Sequence, residues 1–471
     1  MTFNSFSFCC FFVVTLLATW IVGRATKAVS IRNILLLAAG YYFYGSFSWS
    51  FLLLLLYVTV LTYGFGIALD RHEGETRKLL IAADIVLTLL PLLFYKYSGF
   101  VLSNINLALG SNHGEGLGRI VVPVGLSFFS LQALSYTIDI YRRKIHATTS
   151  PIDVALFVGF FPTILSGPIE RGRNLLPQIA EHRKITVGQV MNGMTLFVWG
   201  VFKKAVVADR LGQYVDWVYG TAEYRNGATL AIAASLYSFQ IYCDFSGYSD
   251  MAIGVARALG FDIMQNFRFP YFARTMKEFW HKWHVSLTSW FTEYVYFPLG
   301  GSRVKTRLRW AFNISMVFLL SGIWHGAAWN FLLWGIIHAA LYLAEYKTGL
   351  QRPELENRWK AARRILVFMM ATLAWIFFRV EDMDRAWMIV GRIVTNPIAT
   401  IAWGISAFGT VTTLGLLGVF VGCDWLLYRK KLSLGDASQA FTLKSLMLLV
   451  GLLLGISLFS VSSESFVYFQ F

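Results

Sequence analysis

Two stretches of the chain place proton-handling side chains where apolar residues otherwise prevail. Residues 280–303 read WHKWHVSLTSWFTEYVYFPLGGSR, and residues 321–330 read SGIWHGAAWN. His325 stands inside a long apolar run. An ionisable group at bilayer depth costs roughly 3 kcal/mol or more, so its presence points to function. Gly322, Gly326, Ala327 and Ala328 leave space beside its ring, and Trp324 and Trp329 supply walls for a cavity, with Asn330 as a polar support. A histidine facing a small cavity can take a proton from an acceptor hydroxyl as general base. The plainer alternative is a histidine that hydrogen-bonds between helices.

His284 lies at the edge of an apolar stripe. Met276, Phe279, Trp280, Trp283, Leu287, Trp290, Phe291 and Tyr294 recur at helical spacing, which predicts one amphipathic helix over this segment. The histidine is then either an active-site ring or an interfacial one, and Trp283 is a supporting wall. His281 falls further onto the polar side and receives no role. A His281/His284 pair would give a zinc ion two ligands where it takes three or four. No cysteine or acidic residue stands at ligand spacing, so no metal is expected.

Three further features carry polar chemistry. In YCDFSGYSD (242–250), Asp244 ends an uncharged run that begins at residue 226. It should be buried and hydrogen-bonded, holding a neighbouring element as readily as reacting. Arg171 and Arg173 follow a short apolar segment, residues 154–169, that contains Pro162 and Pro168. They would anchor a loop at the interface or line an entrance for an anionic donor. The C-terminal FVYFQF (466–471) suits an interfacial aromatic belt. It also offers the hydroxyl of Tyr468 as a nucleophile.

The elements that must hold these residues are membrane helices. Of 471 residues, 56% are hydrophobic and only 14% charged, whereas soluble domains carry roughly 25% charged residues. Seven uncharged runs approach or exceed the ~20 residues that cross a bilayer. The net charge of +15 does not imply nucleic acid, because the cations sit in short loops between apolar runs. Arg24, Lys27 and Arg32, then Arg71, Arg77 and Lys78, then Arg142, Arg143 and Lys144 alternate with uncharged connections. By the positive-inside rule the N-terminus is outside. Residues 1–23 lack a basic start and are read as a retained span. The turn at 45–50 divides one long run, 98–118 reads as an external loop, and the last span puts the C-terminus outside. Cys9, Cys10, Cys243 and Cys423 have no CxxC spacing and are read as packing residues.

The expected fold is therefore all-α and polytopic, with about eleven to twelve transmembrane helices. Two re-entrant segments, 154–169 and 273–301, have cations at both ends and would be tolerated only where protein or a cavity surrounds them. One membrane domain spans 1–471, with a core over 30–380 and C-terminal helices over 381–471.

The two histidine segments in this order, with SGPIERG, LPQ (176–178) and YCDFSGYSDMAIG, resemble the membrane-bound O-acyltransferase family. The similarity is to its bacterial branch of alginate O-acetyltransferases and teichoic-acid D-alanyl transferases. The resemblance implies His325 as the catalytic histidine and His284 as a second active-site histidine. It implies a central tunnel, entered by a thioester donor from the cytoplasm and by the acceptor from outside. His281 departs from the basic residue the family pattern has there. The FVYFQF tail resembles the family's C-terminal hexapeptide, which implies Tyr468 as an acyl relay to an extracytoplasmic partner.

These features together predict an acetyltransferase of a bacterial cytoplasmic membrane, with no bound cofactor and acetyl-CoA as co-substrate. His325 would be the base, and His284 would orient or polarise the thioester. Its partners would be the lipid bilayer, a periplasmic esterase-like transferase and a polysaccharide such as alginate, cellulose or peptidoglycan. Two alternatives stand beside this one: D-alanyl or other acyl transfer from a carrier protein, and a transporter using its broken helices as a substrate site.

Overall fold

The computed structural model describes residues 1–110, 120–351, 359–404, 406–432 and 443–461. Among the described residues every regular element is helical. Six helices among the described residues are long and apolar enough to cross a membrane: Phe6–Ala25, Trp49–Arg71, Gly74–Leu109, Val187–Gly220, Lys360–Arg379 and Phe408–Lys430. The chain is an all-α polytopic membrane protein. The expected larger number of spans includes shorter or more polar helices, among them Val29–Gly45, Leu126–Tyr141, Arg307–His325, Trp329–Lys347 and Leu443–Phe459.

One expected loop is helix instead. Residues 98–109 continue the helix Gly74–Leu92 through a π-turn, Leu93–Tyr97. Pro91 cannot donate its backbone hydrogen bond, and a π-turn absorbs such a defect without ending the helix. The polar residues that suggested a loop satisfy themselves locally: Ser98 Oγ donates to the Phe94 carbonyl at 2.6 Å and Asn104 Nδ2 to Phe100 at 2.7 Å. Residues 111–118 of that expectation lie outside the described residues.

The chain divides into two compact units. The first contains Met1–Phe197 and Met251–Met264. Within it the helix Pro151–Val158 gives way to turns and coil before Gly172–Ala180, as the two prolines suggested. Backbone outside a helix must find partners where water is scarce. Gln132 supplies two: its Nε2 donates to the Phe157 carbonyl at 2.6 Å, and its Oε1 accepts the Glu170 N–H at 3.2 Å. The buried Glu170 carboxylate accepts the Met264 N–H and, at 2.8 Å, Asn174 Nδ2.

The second unit contains Val198–Asp250, Gln265–Ala437 and Thr442–Phe471. Its centre is a helical hairpin of Arg307–His325 and Trp329–Lys347. Glycine sets the closeness of the pair. A Cβ on Gly322 would meet the Phe331 carbonyl oxygen, and one on Gly335 would lie 2.5 Å from that of Phe318. Small residues let membrane helices approach in this way. Asn330 Nδ2 then ties the hairpin to Lys360–Arg379 by donating to the Phe377 carbonyl at 3.1 Å.

Candidate active site

His325 is the last residue of the helix Arg307–His325, and it is buried. Its ring packs edge-on against Trp324, Trp334 and Phe378 at centroid distances of 4.9, 5.1 and 5.2 Å. Gly326 follows because a Cβ there would strike the Phe331 ring. The helix stops at the histidine, where Gly326 is extended with φ −163° and ψ 153°, and the ring sits in an aromatic enclosure.

The segment around His284 departs from the expected single amphipathic helix. Met276–Trp280 and Val285–Phe291 are separate short helices, and His284 between them is left-handed, with φ 45° and ψ 52°. A non-glycine residue in that region is uncommon and strained, and such strain concentrates at functional sites. The apolar stripe forms on both pieces, so periodicity alone could not reveal the break. Thr275 starts the first piece, its side chain accepting the Glu278 N–H at 2.9 Å. Burial pushes the Glu278 carboxyl up, but hydrogen bonds from Lys282 and the Arg274 N–H outweigh it and hold the group below its ordinary value.

His284 is 1% exposed. It meets Phe245 at 4.6 Å and Trp324 at 6.0 Å, and its Nδ1 lies 3.0 Å from Asn266 Oδ1. Trp324 thus touches both histidines, and the two segments meet across one indole. Trp283 is buried against Phe279, Trp375 and Phe267. His338, a residue without an assigned role in the sequence, is fully buried between Trp280 and Trp334 at 4.9 and 4.7 Å.

A cavity of about 550 Å³ lies in the same unit. Trp280, Phe291 and Phe318 give it apolar walls, while Lys277, Lys305 and Arg307 are among its cations. Its lining also includes Ser321, one helical turn ahead of His325. His281 is exposed on this cavity, with Nδ1 2.7 Å from the Lys277 carbonyl.

Asp244 is buried in an ion network, 2.8 Å from Lys204, which also meets Asp209 at 2.6 Å. Arg171 is buried and donates to the Ile169 carbonyl at 2.7 Å. Arg173 is exposed and pairs with the buried Asp139 at 3.4 Å. Neither arginine lines the cavity. Tyr468 lies outside the described residues. Among the described residues no group of three or more His, Cys, Asp or Glu gathers to hold a metal ion. Sequence reasoning missed Asn266, whose only signal was a polar residue just ahead of the histidine segment, and the cationic rim, whose arginine and lysines looked like loop charges.

Residues 36–381 match the model of the membrane-bound O-acyltransferase family, and the chain belongs to that family. It is a multi-pass membrane O-acyltransferase, which retires the transporter alternative. Among its relatives is a probable alginate O-acetylase of Azotobacter vinelandii, 35% identical over 82% of this chain and 77% of that protein. A peptidoglycan O-acetyltransferase of Helicobacter pylori is 31% identical over 83% and 79%. A teichoic acid D-alanyltransferase of Bacillus subtilis is 26% identical over 47% and 58%.

Proposed function

We propose that the protein moves an acetyl group from a cytoplasmic thioester, acetyl-CoA, across a bacterial cytoplasmic membrane for O-acetylation of an extracytoplasmic polysaccharide of the alginate, cellulose or peptidoglycan type. One observation carries the reading: two buried histidines share Trp324, and a cation-rimmed cavity reaches Ser321 on the helix of His325. Lys305 and Arg307 suit the phosphates of a nucleotide thioester, and the apolar walls suit its arm. His325 takes the proton of the acceptor hydroxyl as that oxygen attacks the thioester carbon, and the departing thiolate takes a proton in return. His284 orients the reacting groups. Both termini are extracytoplasmic, so Tyr468 can take the acetyl group and relay it to a periplasmic esterase-like transferase. Acetyl transfer is favoured over D-alanyl transfer because the O-acetylating relatives match far more of the chain at higher identity.

The test uses membranes containing the full chain and labelled acetyl-CoA. His325→Ala should lower transfer by about 10²–10⁴-fold, the contribution of a general base. Unchanged polymer acetylation in a deletion strain carrying this variant would remove His325 from the reaction. Label on Tyr468, lost in Tyr468→Phe together with transfer, would support the relay; full activity of Tyr468→Phe without label would refute it.

A further inference from the structure

Asn266 is buried and its side-chain oxygen lies at the junction of three possible donors. The Ser286 N–H is 3.3 Å away, Ser286 Oγ 2.9 Å and His284 Nδ1 3.0 Å. The Ser286 amide can only donate. That settles which end of the carboxamide faces it, because a flipped Asn266 would set its NH₂ against a backbone N–H. With oxygen in that position, Nδ1 of His284 must carry a hydrogen; otherwise two lone pairs would oppose at 3.0 Å. A neutral imidazole protonated at Nδ1 has its lone pair at Nε2. The backbone reinforces the geometry, since the Asn266 carbonyl accepts the Val285 N–H at 2.9 Å. Asn266 thus holds the left-handed residue and the two that follow it, and the His284 ring has its orientation and its tautomer set together.

We propose that Asn266 is a positioning residue that locks His284 as the Nδ1–H tautomer, so that Nε2 accepts a hydrogen from the substrate. The inference rests on this site being the acyl-transfer site. It rules out the polarising role for neutral His284, since a lone pair cannot donate to a thioester carbonyl. What Nε2 recognises is a hydrogen-donating group: an amide N–H of the thioester's arm or the O–H of the acceptor. Through Trp324 this places a hydrogen acceptor near the base His325 and leaves the carbonyl to other donors.

Two measurements on the full chain in lipid nanodiscs test it. With ring-¹⁵N histidine, the difference spectrum between wild type and His284→Asn should contain one protonated nitrogen at Nδ1 and one bare nitrogen at Nε2. In the second, Asn266→Leu should lower kcat/KM for acetyl-CoA by about 10–100-fold, the scale of losing a residue that orients a metal-bound histidine. Asn266→Asp should recover most of it, since a carboxylate still accepts from Nδ1, and should move the acid limb of the pH–rate profile upward. A raised KM for acetyl-CoA would assign Nε2 to the donor's amide; a change confined to kcat and acceptor dependence would assign it to the hydroxyl. A wild-type spectrum with Nε2 protonated and Nδ1 bare, or full activity of Asn266→Leu, overturns the proposal. The wild-type spectrum decides the tautomer even if Asn266→Leu fails to fold. Should His325→Ala remain active while that spectrum is as expected, the chemistry assigned to the site fails and the tautomer stands.

Discussion

Lys204→Met should destabilise the protein more than Asp244→Asn, although both break the same ion pair. Lys204 Nζ lies 2.6 Å from Asp209 and 2.8 Å from Asp244, and its neighbour Lys203 meets Asp250 at 2.6 Å and Ser246 at 2.9 Å. These five charges are two positive and three negative, a sum of −1. Lys204→Met takes the sum to −2 and removes the cation that two buried carboxylates contact. Breaking a buried pair in this way destabilises by roughly 3–5 kcal/mol. Asp244→Asn takes the sum to zero and leaves an amide oxygen for Lys204, so the loss is about 1 kcal/mol. At roughly 2–4 °C per kcal/mol, the two variants should melt on the order of 5–15 °C apart. Intrinsic fluorescence of purified protein in nanodiscs reads the difference. Equal melting, or a lower midpoint for Asp244→Asn, would refute the charge balance and return Asp244 to the list of reacting groups.

Two further outcomes follow from the same structure. Replacing Lys305 and Arg307 by glutamate should raise the KM for acetyl-CoA about tenfold at low salt, and the gap from wild type should narrow as ionic strength rises; salt-independent kinetics would remove these cations from the donor path. Gly335→Val should push apart the hairpin that carries His325, because its first added carbon already lies 2.5 Å from the Phe318 carbonyl oxygen. Overpacking of this kind costs about 1–3 kcal/mol, visible as a lower melting point and reduced transfer.

Long uncharged runs made the helices legible, and the excess length of one of them located the turn at 45–50, where one helix ends at Gly45 and the next begins at Trp49. The residues 154–169 announced their irregularity through two prolines. Other features carried no comparable signal. The left-handed His284 hides inside a perfect helical stripe, since periodicity reports which face is apolar and not whether the backbone is continuous. Residues 98–109 mislead in the opposite direction, because serine and asparagine side chains that suggest a loop bond to their own helix. By charge Arg171 and Arg173 read equally as a loop anchor or an entrance, and in the structure they are engaged with the Ile169 carbonyl and Asp139. Lys305 and Arg307, which looked like topology, rim the cavity. Sequence gives the sign of a charge, and folding decides which carbonyl or carboxylate claims it.

The left-handed backbone at His284 also filters what the position can become. Only glycine takes that conformation freely, and among other residues asparagine, aspartate and histidine enter it most readily. A β-branched side chain would be strained there. Engineering at this position is therefore easiest toward glycine, asparagine and aspartate by backbone sterics, before any demand of catalysis is felt. Two different constraints, one conformational and one chemical, select from the same short alphabet.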